Sequence, residues 1–197
     1  MLFRSVNTSF FIPSLNHKKT SQLRLFCLTT FVRSKGVSDL FEALCILDQR
    51  GIDFCLLWGG DGPLRKEMIM KCSGFGGRVK FPGWILRKDT LTAYQNCDIF
   101  VMPSHLESFS IVLIEALSCG KPIIATDCGG PRDIVKKNLG TLLPPKNPIT
   151  LANAIIEMSS NIEKYDSLAL REECLSKYSE EIVSQRILQL IEESISC

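Results

Sequence analysis

The amino-acid sequence predicts an α/β fold, a single parallel sheet with helices on its faces. Three observations carry that expectation. Short apolar runs bounded by Gly and Pro alternate with stretches of helical spacing, and the connections are short, which is the pattern of a doubly wound parallel sheet. The longest apolar stretch, Phe109 to Cys119, is apolar on nearly every face of a helical wheel, so it reads as a helix enclosed by protein. With 197 residues, 45% hydrophobic and 22% charged, the chain can bury the core of one ordinary domain and little more.

Taken in order, Met1 to Gln22 is polar and without sustained period, so 1–22 is expected to be a linker and 23–197 the folded domain. Leu23 to Thr29 reads as the first strand, and Leu40, Phe41, Ala43, Leu44 and Leu47 recur at helical spacing in Ser38 to Gln49. Ile52 to Trp58 is a strand ended by the turn Gly59-Gly60-Asp61-Gly62, and Pro63 suits the first turn of a helix over Leu64 to Lys71. Val79 to Phe81 is a brief strand, followed by a helix around Asp89 to Gln95 and a strand from Ile99 to Met102. After the apolar helix come a strand from Pro122 to Ala125, a short helix over Pro131 to Lys137 and a weak strand over Gly140 to Leu143. From Pro148 onward the chain is helical, with Ile182, Val183, Ile187, Leu190, Ile191 and Ile195 on one face.

Several classes are disfavoured. A net charge of +2 gives no electrostatic case for nucleic acid, and two His are too few for a metal cluster. The nine Cys are scattered, odd in number and without a Cys-x-x-Cys pair, which fits buried thiols in a reducing cytosol. No apolar run approaches the ~18 residues of a membrane span, and Met1 to Phe11 has no signal-peptide core. A cytoplasmic protein is therefore expected. Gly59 to Gly62 lacks the Gly-x-Gly-x-x-Gly order, which argues against a dinucleotide-dependent dehydrogenase.

Two carboxylates give the apolar helix its chemistry. Glu115 interrupts it, and a desolvated carboxylate is costly unless it meets donors or a cleft. Glu107 lies in the polar turn just before it, ~12 Å away along the axis if the stretch were all helical. Between them the helix N-terminus, with free N–H groups and a positive dipole end, suits a phosphate. The layout fits a ligand with hydroxyls at each end and a diphosphate between, which describes a nucleotide-sugar. The competing reading is structural: Glu115 and Ser118 form a narrow solvent stripe and Glu107 only favours the helix dipole.

The stretch DIFVMPSHLESFSIVLIEALSCGKPIIATDCGGPRDIV, Asp98 to Val135, resembles the signature region of retaining glycosyltransferases of family four. Glu107 and Glu115 match that family's pair of glutamates separated by seven residues, with Pro-Ser before, Gly-Lys-Pro after and then Gly-Gly. The resemblance implies a Rossmann-like sheet as the C-terminal, donor-binding half of a two-domain glycosyltransferase B fold. It implies that Glu115 binds ribose hydroxyls, that Glu107 binds the transferred sugar, and that Lys35 with the amides of Phe109, Ser110 and Ile111 binds the diphosphate. Gly60, in its Gly-rich turn, would line the donor cleft, and the stretch around Trp84 would meet the nucleobase, with a core aromatic as the alternative for Trp84. Gly129-Gly130 makes a tight turn, with Asp133 where the family often has glutamate.

The chain departs from the family at two places. Thr30 stands where the family has an arginine, with Arg33 as the substitute cation, and Ser110 stands where glycine is usual, tolerable only if no positive φ is needed. The implied partners are a nucleotide-sugar donor and an N-terminal acceptor domain or partner chain, without which the chain would be an inactive nucleotide-sugar-binding unit. No cofactor or metal is implied, and contact with the membrane periphery is left open. An epimerase or phosphorylase of the same fold would not share the glutamate pair in this setting.

Overall fold

Six parallel strands in the order β3-β2-β1-β4-β5-β6 form the sheet of the computed structural model, which describes residues 5–14 and 20–195. Residues 1–4, 15–19 and 196–197 belong to the expected linker and the end of the expected domain, and lie outside the described residues. The strands are β1 (Leu23–Leu28), β2 (Phe54–Gly59), β3 (Val79–Gly83), β4 (Ile99–Met102), β5 (Ile123–Thr126) and β6 (Gly140–Leu143). Helices α1 (Val37–Gln49), α2 (Arg65–Lys71), α3 (Arg87–Asn96), α4 (Ile111–Ser118) and α5 (Pro131–Ile134) connect them in turn. After β6 come α6 (Pro148–Ser160), α7 (Ser167–Tyr178) and α8 (Glu180–Ile195). The α/β expectation holds, and most elements fall within two residues of their expected bounds.

Strand alternation divides the interior into two layers. Ile99 and Val101 of β4 enter the layer under α1, α2 and α6, while Phe100 and Met102 enter the one under α3, α4 and α7. The apolar stretch is the buried helix it was expected to be: Leu113, Ile114, Ala116, Leu117 and Ser118 of α4 are all buried. Gly120, at φ 68°, ends it and donates its N–H to Leu117 O at 2.8 Å.

Three local readings change. The short helix expected over Pro131 to Lys137 stops at Ile134, because Val135 turns extended and buries its side chain. The C-terminal helical stretch is broken into three helices, and on α8 only Val183 is buried, leaving Leu188, Leu190, Ile191 and Ile195 exposed. The described part of the expected linker is packed down: Val6 N–H donates to Tyr178 O at 3.0 Å, and Phe11 is 1% exposed against α3 and α4. Arg171 of α7 fixes that segment, donating to Phe11 O at 2.7 Å and Thr8 O at 2.8 Å.

All eight described cysteines are free, and burial pushes the Cys97 thiol up to about 12. Cys27, Cys72, Cys97, Cys119 and Cys174 are the buried thiols expected of core residues, whereas Cys45, Cys55 and Cys128 are half-buried. Among the described residues, no helix is long and apolar enough to cross a membrane.

Candidate functional site

The site lies where the strand order reverses. β1 is flanked by β2 on one side and β4 on the other, so the loops leaving β1 and β4 part on opposite faces and open a crevice at the carboxyl edge. The β1 loop ends in a 3₁₀ turn, Arg33–Lys35, and then Gly36 at φ 64°. A Cβ on Gly36 would lie 1.9 Å from Pro103 O, so glycine lets the two loops touch. His105 N–H donates to Ser34 O at 2.8 Å, and the His105 ring lies 2.7 Å from Asp39 of α1.

That contact brings together two residues singled out by the sequence. Lys35 Nζ donates to Glu107 Oε2 at 2.5 Å, with side chains 24% and 20% exposed. Cys128 O accepts the Glu107 N–H at 3.4 Å, and Gly130 N–H donates to Glu107 O at 2.8 Å, so the Gly129-Gly130 turn forms a wall for the pair. Ser34, Lys35, Leu106, Glu107, Cys128 and Asp133 line an open cleft of about 690 Å³ here. A second cleft of about 580 Å³, between α3 and β1 to β3, contains none of the predicted site residues.

Helix α4 begins at the edge of this loop. Ser110 has φ 76° and ψ 63°, so the positive φ that glycine would take freely is imposed on serine. Its side chain does not cap the helix, and its Oγ is buried without a hydrogen-bond partner among the described residues. The condition set for tolerating serine is therefore not met, and the position is strained. Phe109 is 8% exposed and meets the Tyr178 ring edge-on at 6.3 Å, whereas Ile111 is 39% exposed.

Glu115 sits further along α4 in a different setting. Tyr94 Oη donates to Glu115 Oε2 at 2.9 Å. Burial pushes the carboxyl pKa above the usual range, while the Tyr94 hydrogen bond and the Arg87 charge pull it back. The solvent-stripe alternative fails because Ser118 is fully buried and donates to Phe11 O at 2.6 Å.

The remaining predicted residues lie farther along the same edge. Gly60 N–H donates to Gly83 O at 2.8 Å, and a Cβ on Gly60 would lie 1.7 Å from Thr29 O, so the loops after β1, β2 and β3 are joined there. Trp84 is 79% exposed, which overturns its core-aromatic alternative; Trp58 is the core indole, stacked on Phe81 at 5.6 Å. Arg33 is exposed and stands outside the Lys35–Glu107 contact, with no ion pair among the described residues. Tyr94 and Arg87 were not singled out in the sequence. Their only signal was an aromatic in the otherwise polar helix RKDTLTAYQN.

The family model "Glycosyl transferases group 1" matches residues 10–172. The chain belongs to this family. It is 32% identical over 165 residues to the N,N'-diacetylbacillosaminyl-diphospho-undecaprenol alpha-1,3-N-acetylgalactosaminyltransferase of Campylobacter jejuni, covering 82% of this chain and 42% of that protein. This group 1 chain thus spans less than half the length of that curated relative. Its fold is similar to sucrose-phosphate synthase from Thermosynechococcus elongatus, with TM-score 0.84 and 25% identity over 98% of this chain and 52% of that one. It is also similar to Anabaena Alr3699/HepE in complex with UDP, with TM-score 0.82 and 22% identity over 96% of this chain and 56% of that one. The sheet is the Rossmann-like one expected of a glycosyltransferase B fold.

Proposed function

We propose that this chain is the donor-binding domain of a retaining glycosyltransferase of family four, acting on a nucleotide diphosphate sugar. The observation that carries the reading is the Lys35–Glu107 pair across the crevice, next to the start of α4 and ahead of Glu115. In this reading Lys35 reaches the diphosphate and holds Glu107 beside it, where that carboxylate accepts hydrogen bonds from the sugar hydroxyls. The first-turn amides of α4 add positive potential at the diphosphate, and Glu115 accepts from the ribose. Stabilisation of the departing nucleoside diphosphate then comes from a positioned cation and a helix end, and no divalent ion is required. The UDP complex of the Anabaena protein, related at the level of fold, supports a nucleotide ligand for this kind of sheet.

Calorimetry of the chain with UDP, GDP and ADP, with and without chelator, tests the reading. One nucleotide is expected to bind in both conditions, and Lys35→Ala is expected to weaken it by about tenfold or more, the loss typical of a hydrogen bond to a charged group. A folded chain that binds none of them ends the donor-site reading, and binding lost to chelator ends its metal-free part. Retention is tested by the anomeric configuration of the product. The competing reading is a nucleotide-sugar-binding unit without turnover until an acceptor domain joins it; it is favoured by the 42% span and tested by assaying transfer with and without the rest of a relative's length.

A further inference from the structure

Glu115 has an uneven set of partners. Oε2 accepts from Tyr94, and among the described residues Oε1 has no hydrogen-bond partner. The Tyr94 hydroxyl also lies 3.0 Å from Val112 O, so one phenolic proton faces two acceptors, a carbonyl and a carboxylate. The ring itself is held fast. It is fully buried and packed against Phe26 at 5.1 Å, Phe100 at 5.3 Å and Phe11 at 5.9 Å. Burial first, then Glu115, hold the phenol well above its ordinary pKa, so it stays protonated and able to donate.

We propose that Tyr94 is a positioning residue for ligand binding by Glu115, its phenolic proton pinning Oε2 so that Oε1 is left to meet the ligand's vicinal hydroxyls. This rests on the donor-site reading and deepens it. The ionised carboxylate takes the proton's hydrogen bond. A protonated carboxyl can still accept from the phenol, but more weakly than the ionised carboxylate does, and Val112 O competes for the same proton. The bond therefore favours the ionised, hydroxyl-accepting form. Other titratable groups around Glu115 among the described residues are few: Arg87, also on α3, opposes its burial penalty, Cys119 stands just past the end of α4, and Arg171 of α7 is directed at Ser118 and the backbone of residues 8 and 11. Arg87 stands against the Phe10 and Phe11 rings at 5.5 and 5.7 Å, so its charge acts on Glu115 without an ion pair.

The test has two readouts on the same variants. Carbon-13 labelling of glutamate carboxyls in the ligand-free chain follows Glu115 directly, with its resonance assigned by its loss in Glu115→Gln. Tyr94→Phe is expected to move the titration midpoint up by about one pH unit, and site-specific 3-fluorotyrosine at 94, a more acidic donor, to move it down. Calorimetry near pH 7 with whichever of UDP, GDP and ADP the wild-type chain binds is expected to show about tenfold weaker binding in Tyr94→Phe, but less than about twofold further loss when the same change is made in Glu115→Gln. Midpoints that do not move with either substitution, or losses that multiply in the double variant, overturn the proposal. If the wild-type chain binds none of UDP, GDP and ADP, the binding half falls together with the donor-site reading. Binding with an unmoved midpoint overturns this proposal alone.

Discussion

Two carboxylates on neighbouring parts of one chain are held in opposite ways. Glu107 is on a loop, meets the charge of Lys35 across a second loop and keeps a fifth of its side chain in solvent. Glu115 is on the most apolar helix of the fold, meets a neutral phenol, and has burial as the largest influence on its carboxyl. The difference teaches that the position of a carboxylate along the sequence gives its spacing, and its neighbours in space give its chemistry. A charge-paired loop carboxylate is displaced by moving the loop; a buried, phenol-held one answers to pH.

The largest expected effect comes from moving the loop alone. A Cβ on Gly130 would lie 2.5 Å from Phe109 Cα, against backbone that has nowhere to go. Gly130→Ala is therefore expected to destabilise the fold by about 3 kcal/mol, as overpacking does, and to shift the Glu107 loop while α4 keeps Glu115 in place. Chemical denaturation measures the loss. The glutamate resonances would then report Glu107 perturbed and Glu115 unmoved; a shift in both breaks the separation drawn between them.

Replacing Glu115 sharpens the comparison through pH. Its raised folded pKa means that the associated stability is fully present below the unfolded value of about 4.3 and is lost as pH rises through the folded value. Glu115→Gln keeps an acceptor for Tyr94 and removes the buried charge. The variant is therefore expected to melt at a higher temperature than wild type at pH 8 and at nearly the same temperature near pH 4, while nucleotide affinity falls by about 2 kcal/mol. A melting difference that is constant with pH would mean that burial does not govern this carboxylate.

The smallest effect belongs to the hinge between the two regions. Ser110→Gly relieves a positive φ and removes a buried hydroxyl without a partner, and is expected to stabilise the chain by about 1 kcal/mol. Thermal melts would detect it, and an unchanged or lowered melting temperature would show that serine is held there by contacts worth more than the strain.

Local pattern made the sheet, the buried α4 and the Glu107 and Glu115 pair legible, because strand and helix periods and the spacing of two residues on one segment need no knowledge of distant neighbours. The carboxyl-edge placement of Lys35, Gly60 and Trp84 followed from the same alternation of strands and loops. Only the tertiary structure decided that Trp58 and not Trp84 enters the core, that Ser110 takes a left-handed backbone, and that Phe11 packs against Tyr94. It alone joined Lys35 to Glu107 across 72 positions and Tyr94 to Glu115 across 21. Those contacts lie between segments that share no period, so which side chain meets which carboxylate is fixed by the crossing of strands and helices in space.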